Sequence, residues 1–269
     1  MWMEQVQKKR SAALEKELLA LQKQERKMEQ AAQKENRAGW KSQLESRIPP
    51  KVYDGLENAF CRGFSMVFEQ GLTLIEKSYK KEELWADHAI RDYAVQLKGG
   101  RRELKQLQKS VQQSEVRNMA VTAAGGIGLG LLGIGMPDIM LFLGTLLKGI
   151  YETALHYGYD YETRRERYLI LKMMEAALSS GEERREYNRR IDEMLAGELP
   201  AVTERELELQ IRRTASMFAM DMLLLKFVQG LPIVGIIGGA ANPVYYRRVM
   251  KYVRLKYQKR YLLGWKARE

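Results

Sequence analysis

The sequence has a single cysteine, Cys61, and only two histidines, His88 and His156. One thiol excludes an internal disulfide and any cysteine-based metal cluster. Two imidazoles leave few seats for histidine-dependent catalysis. Alternating apolar and polar positions, the mark of a half-buried strand, are absent, and so is a repeat of the period used by solenoid proteins. The opening residues "MWMEQVQKKR" lack the apolar core of a signal peptide, so a cytoplasmic location is expected. Long uncharged runs are rare as well. Only Asp138 is charged between Arg117 and Lys148, and nothing is charged between Lys226 and Arg247.

What is present is charge and helical periodicity. The chain of 269 residues carries a formal net charge of +11, with 45% hydrophobic residues, enough to build a core. The surplus is uneven. Residues 1–50 hold 11 basic and 7 acidic side chains, 51–241 hold 25 and 26, and 242–269 hold 9 and 1. A basic C-terminal segment on a neutral body predicts an anionic partner, and the apolar segment beside it favours a lipid surface over nucleic acid.

Residues 4–46 read as one long charged helix that stops at "RIPPK", where two prolines remove donors. This sets the expected division into an N-terminal helical extension, 1–48, and a helical domain, 49–269. In that domain Val52, Leu56, Ala59, Phe60, Gly63, Phe64 and Val67 share a helix face. "KGGRRE" predicts a turn, 138–157 a helix stopped by "YGYD", and 162–179 and 182–196 two more helices. Thr203 with Glu206 three residues on predicts a capping box. The expected fold is all-α.

The segment "GGIGLGLLGIGMPDIM" at 125–140 contains G-x-G-x-x-G, but no strand precedes it and no Gly-Lys-Ser/Thr follows, so a nucleotide loop is not predicted. A second Gly-rich apolar segment, "GLPIVGIIGGAANP", lies at 230–243. Gly126, Gly130 and Gly133 in the first and Gly235 and Gly239 in the second have the small-residue spacing that lets helices approach closely. Residues 118–147 and 227–246 are therefore expected to pack on each other as a core or as a hairpin dipping into one leaflet. Neither segment makes a clean membrane span of about 20 residues.

With these segments the chain resembles the EcsC family, bacterial proteins named for a partner of an ABC-type transporter. The residues that carry the likeness are "GIGMPDIMLFLGTLLKGIYETALHYGYD" at 133–160, "YLILKMMEAALSSG" at 168–181 and "LPIVGIIGGAANPVYYRRV" at 231–249. The likeness covers about 48–255, with Asn242-Pro243 as a departure from an uninterrupted helix. It implies an all-helical, membrane-associated accessory protein with an ABC-type transporter subunit as a partner, and supplies no reaction and no cofactor.

For chemistry, Asp138, Gly149, Glu152 and His156 fall within about 40° of one helix face. Asp221 stands among apolar neighbours in "MFAMDMLLLKF", where burial demands a partner. His88 in "WADHAIRDY" reads as surface. No metal site or cofactor motif emerges. In the tail, Tyr246, Met250, Val253, Tyr257 and Tyr261 share a face, with Arg247, Arg248, Lys251, Arg254, Lys259 and Arg260 as candidate contacts to an anionic surface. Three readings follow: a membrane-surface accessory protein, a soluble protein-interaction module, or a metal-dependent hydrolase using Glu152 and His156.

Overall fold

The computed structural model describes residues 1–34, 48–68, 79–129, 136–228 and 241–269, with side chains 34, 117, 119–138 and 225–242 outside the description. The described residues form helices and no strand, as the periodicity predicts. In chain order these are α1 (Trp2–Lys34), α2 (Pro50–Met66), α3 (Lys81–Lys98), α4 (Arg101–Leu129), α5 (Met136–His156), α6 (Arg164–Leu178), α7 (Gly181–Ala196), α8 (Glu204–Val228) and α9 (Ala241–Ala267).

Local chemistry sets the boundaries. Pro49 precedes α2 and Pro50 opens it, where a missing N–H is no loss. Gly99 ends α3 in the left-handed region at φ 57. A Cβ there would meet the Val6 carbonyl oxygen at 2.5 Å, so glycine is required twice over. Thr203 and Glu206 exchange hydrogen bonds at 3.2 and 2.8 Å across the start of α8, the expected capping box. Thr163 accepts the Glu166 amide at 3.2 Å to start α6 in the same way. Pro243 falls in the first turn of α9, which tolerates it, so the departure at Asn242-Pro243 leaves the last helix intact.

The centre of the bundle is α9. It packs against α1, α4, α5, α6 and α7. Tyr245, Tyr246, Val249, Met250, Tyr252, Val253, Leu255, Tyr257, Leu262 and Trp265 are all buried, which spreads apolar contact around most of the helix. Val244, Arg247 and Lys251 leave one edge of its first half exposed, and most of the rest of the helix is enclosed. The face of Tyr246, Met250, Val253, Tyr257 and Tyr261 therefore packs in the protein interior and is not turned to solvent or lipid.

Helix α1 lies across this core. Ala13, Leu14, Leu21 and Ala32 are buried in it. Arg10 bonds Glu269 at 2.9 Å, Glu17 bonds Gln108 at 3.0 Å and pairs with Arg101, and Glu25 bonds Lys256 at 2.8 Å. The segment expected as an N-terminal extension thus packs on α9 along most of its length.

Two helix crossings place a glycine at the closest approach. At Gly63 a Cβ would approach Leu143 Cδ1 of α5 at 2.9 Å, the flexible end of a side chain. At Gly149 of α5 it would meet the Tyr246 hydroxyl of α9 at 2.5 Å and Met250 Sδ at 3.2 Å. Gly130, Gly133, Gly235 and Gly239 lie outside the described residues, as does the surrounding of Gly126 in α4, and so does the expected crossing of 118–147 with 227–246. No described helix is long and apolar enough to cross a membrane.

The crossing at Gly149 gives a direct check. Gly149→Ala is expected to lower stability by up to about 2 kcal/mol, since overpacking of about 1–3 kcal/mol offsets or exceeds the ~1 kcal/mol gain in helix propensity. Gly144→Ala, with nothing within 4 Å of its new methyl group, keeps only the gain. Urea unfolding of both variants distinguishes them; equal stabilities would contradict the crossing.

Candidate functional site

Glu152 and His156 sit one turn apart on α5 and face α4. Glu152 is fully buried and accepts a hydrogen bond from Asn118 Nδ2 at 2.7 Å, with Lys148 Nζ 3.9 Å away. His156 is 4% exposed; its Nε2 lies 3.1 Å from Ser114 Oγ and its Nδ1 3.9 Å from Asp87 Oδ2. The two side chains thus bond different groups of α4, one turn apart. Above Gly149 the Tyr246 hydroxyl closes the layer. Burial pushes that hydroxyl's pKa up, Glu115 and Glu152 push it further, and Asn118 opposes them. Among the described residues, no group of histidine, cysteine and carboxylate side chains is placed to hold a metal.

Ser114, His156 and Asp87 are the residue types of a nucleophilic relay, brought together from three helices. The geometry stops short of one. Asp87 is beyond hydrogen-bond range of His156 and bonds Arg91 at 2.7 Å. Ser114 lies in mid-helix, where backbone N–H groups are used in the helix itself and none is offered to an oxyanion. The arrangement holds α3, α4 and α5 together. Asp138 is in the first turn of α5, with its side chain outside the description.

His88 departs from the sequence reading. It is half-buried: its Nδ1 lies 3.0 Å from the His156 carbonyl oxygen, and its ring stands edge-on to Tyr261 at 6.1 Å. Gly158, at φ 79, leaves the space its imidazole fills. Its partners are 68 and more residues away, so no local pattern announces them.

Other buried acids are also matched. Asp221 Oδ2 lies 3.4 Å from Arg248, which also donates to the Leu178 carbonyl at 2.8 Å. Glu166 accepts from Tyr257 at 2.8 Å and from Arg260 at 2.8 and 2.9 Å. Glu175 is fully buried beside Thr214 and Lys172. Desolvation raises its pKa, against the opposing pull of Lys172.

The cations of α9 are largely matched within the protein. Arg248 faces Asp221 of α8, Arg254 pairs with Glu115 of α4, and Arg260 with Glu166 of α6. Lys259 reaches Asp192 of α7 at 2.8 Å and Glu25 of α1 at 3.1 Å. Lys256, 2% exposed, bonds the same two carboxylates at 2.7 and 2.8 Å. Of the six basic residues singled out in the tail, Arg247 and Lys251 remain exposed.

The EcsC family model matches residues 14–262. The chain belongs to the EcsC protein family. The match begins inside α1, so the helix that the resemblance was expected to leave outside is mostly within it. No curated protein and no solved structure matches the chain.

In this EcsC-family protein one group of exposed cations lies where several helix ends come together. Lys8 and Lys9 of α1, Lys98 at the end of α3, Arg102 and Lys105 in the first turns of α4, and Lys266 near the end of α9 are all exposed. Contacts between Arg10, Gln96, Glu269 and Trp265 bring these helix ends together. A groove of about 370 Å³ runs between them, lined by Trp2, Gln5, Val6, Lys9, Leu97, Lys98 and Glu103. Sequence counting placed the positive end in the last helix; internal pairs engage Arg248, Arg254, Lys259 and Arg260 there, Arg247 and Lys251 stay exposed, and this junction is a second group of exposed cations.

The raised pKa of Glu175 fixes a sign for stability. The folded protein holds this proton more readily than the unfolded chain, so the stability it contributes is present at low pH and lost as pH rises through the folded value. Glu175→Gln is therefore expected to help more at pH 7 than at pH 4 in urea unfolding. A larger gain at pH 4 would contradict the assignment.

Proposed function

We propose that this EcsC-family protein is a peripheral accessory protein that works at an anionic lipid surface and catalyses no reaction of its own. The observation that carries the reading is the junction of α1, α3, α4 and α9, where Lys9 and Lys98 line a groove with Trp2, Leu97 and Glu103, and Arg102, Lys105 and Lys266 are exposed near these helix ends. Cations left over after internal pairing meet the negative potential of a cytoplasmic leaflet, at roughly 1 kcal/mol each. Such a protein rests on the surface and does not cross it. The transporter link implied by the family's name adds an ABC-type subunit in the same membrane as the partner.

The buried polar layer supports the absence of catalysis. Glu152 is closed off from solvent, and Ser114 lacks backbone oxyanion donors.

Co-sedimentation with vesicles tests the reading. The protein is expected to pellet with vesicles containing phosphatidylserine, to be released in large part but not wholly by 1 M salt (a Debye length of about 3 Å), and to pellet weakly with pure phosphatidylcholine. Replacing Lys9, Lys98, Arg102 and Lys105 with glutamine should weaken anionic binding on the order of several hundredfold. Equal binding to both vesicle types would contradict the electrostatic basis.

A further inference from the structure

Helix α3 has two faces. One is buried through Val95, and through Asp92, which accepts from Tyr261 at 2.8 Å and Trp265 at 3.0 Å. The other carries Ala86, Ala89, Ile90, Tyr93 and Leu97, all exposed. At 100° per residue these five fall within an arc of about 100° and along about 16 Å of helix. That spacing is the apolar stripe by which a helix packs, yet Ile90 is 70% and Tyr93 58% exposed. An apolar helix face of this kind on the outside of a protein marks an interaction surface.

The surroundings of the stripe say what it fits. Across the groove from Leu97 stands Trp2, itself 60% exposed. Lys9 and Lys98 flank the groove, and Lys8 and Arg102 are exposed beside them. Glu103 also lines the groove, while Glu82 and Glu83, two of the four acids of α3, are exposed at its opposite end, with Glu83 bonded to Lys80 at 2.6 Å. Apolar side chains, a tryptophan and a tyrosine edged by lysines are the composition of a helix that lies in the headgroup region, its apolar face reaching the acyl boundary. The basic residues lie at the end where Leu97 and Trp2 meet.

We infer that the outer face of α3, together with Trp2 of α1, is the apolar anchor that seats the protein in an anionic bilayer surface, with Leu97 and Trp2 deepest and Glu82 and Glu83 left in water. This rests on the membrane-surface reading above and specifies its contact. The cations attract the protein to the surface; Ile90, Tyr93, Leu97 and Trp2 insert. No helix unfolds or leaves the bundle, since every side chain invoked is already outside it.

The test uses the full chain and three variants: Ile90→Ser with Tyr93→Ser and Leu97→Ser, Trp2→Ser alone, and the glutamine variant of the four cations. Because the altered side chains are exposed, circular dichroism and melting should match the wild type. On vesicles of phosphatidylcholine with phosphatidylserine, the triple-serine variant is expected to lose on the order of tenfold to a hundredfold in partitioning, and Trp2→Ser to lose less. The part of wild-type binding that survives 1 M salt should vanish in the triple variant and persist in the glutamine variant. A triple-serine variant that pellets like the wild type overturns the anchor and leaves the membrane reading standing. Wild-type protein that pellets with neither vesicle overturns both. A wild-type dimer in light scattering that the serine substitutions make monomeric, with vesicle binding unchanged, assigns the stripe to self-association and also overturns the anchor.

Discussion

A helix with eight cations in 27 residues can stand at the centre of a protein only if carboxylates are brought to it. An unpaired charge inside is costly, and removing one partner of a buried pair leaves that cost uncompensated. Four helices other than α1 meet the condition: α4 supplies Glu115, α6 Glu166, α7 Asp192 and α8 Asp221. The fifth acid, Glu25, comes from α1 and shares Lys256 and Lys259 with Asp192. Neutralisation and assembly are then the same event, because each pair joins α9 to a different element.

The same constraint explains the two ends of the molecule's charge. Four acids of the neutral body are committed to α9, so the helix that reads as most basic has most of its charge matched inside. Among the cations that stay exposed are those of the junction where α1 begins, α3 ends and α9 ends. Buried polar groups elsewhere follow one pattern too: Glu152 with Asn118, His156 with Ser114, and Glu175 with Thr214 each link neighbouring helices. Their enclosure fits a scaffold that presents surfaces, and the exposed stripe of α3 is the surface with the clearest chemical character.

Much of the fold was legible from local chemistry. The prolines at 49 and 50, the Thr203–Glu206 box, the glycine turns at 99 and 158 and the helical spacing from Val52 to Val67 all correspond to observed boundaries or buried faces. The role of α9 was legible only in part. One apolar stripe was visible, but Tyr252, Leu255 and Leu262 lie on other sides, and together they mark a helix that is buried over most of its surface. Pairings such as Glu25 with Lys256, separated by 231 residues, leave no local trace. For the same reason His88 read as surface, and α1 as an appendage.

The central claim is that α9 is the interior strut of the protein and stays so in the presence of an anionic lipid surface. Hydrogen exchange of the amides from Tyr245 to Trp265, with and without phosphatidylserine vesicles, tests it most directly. The account predicts that these amides exchange among the slowest in the chain, at rates set by global unfolding, and that vesicles leave them unchanged. Fast exchange in the free protein, or deprotection of this helix alone on vesicle binding, would contradict it.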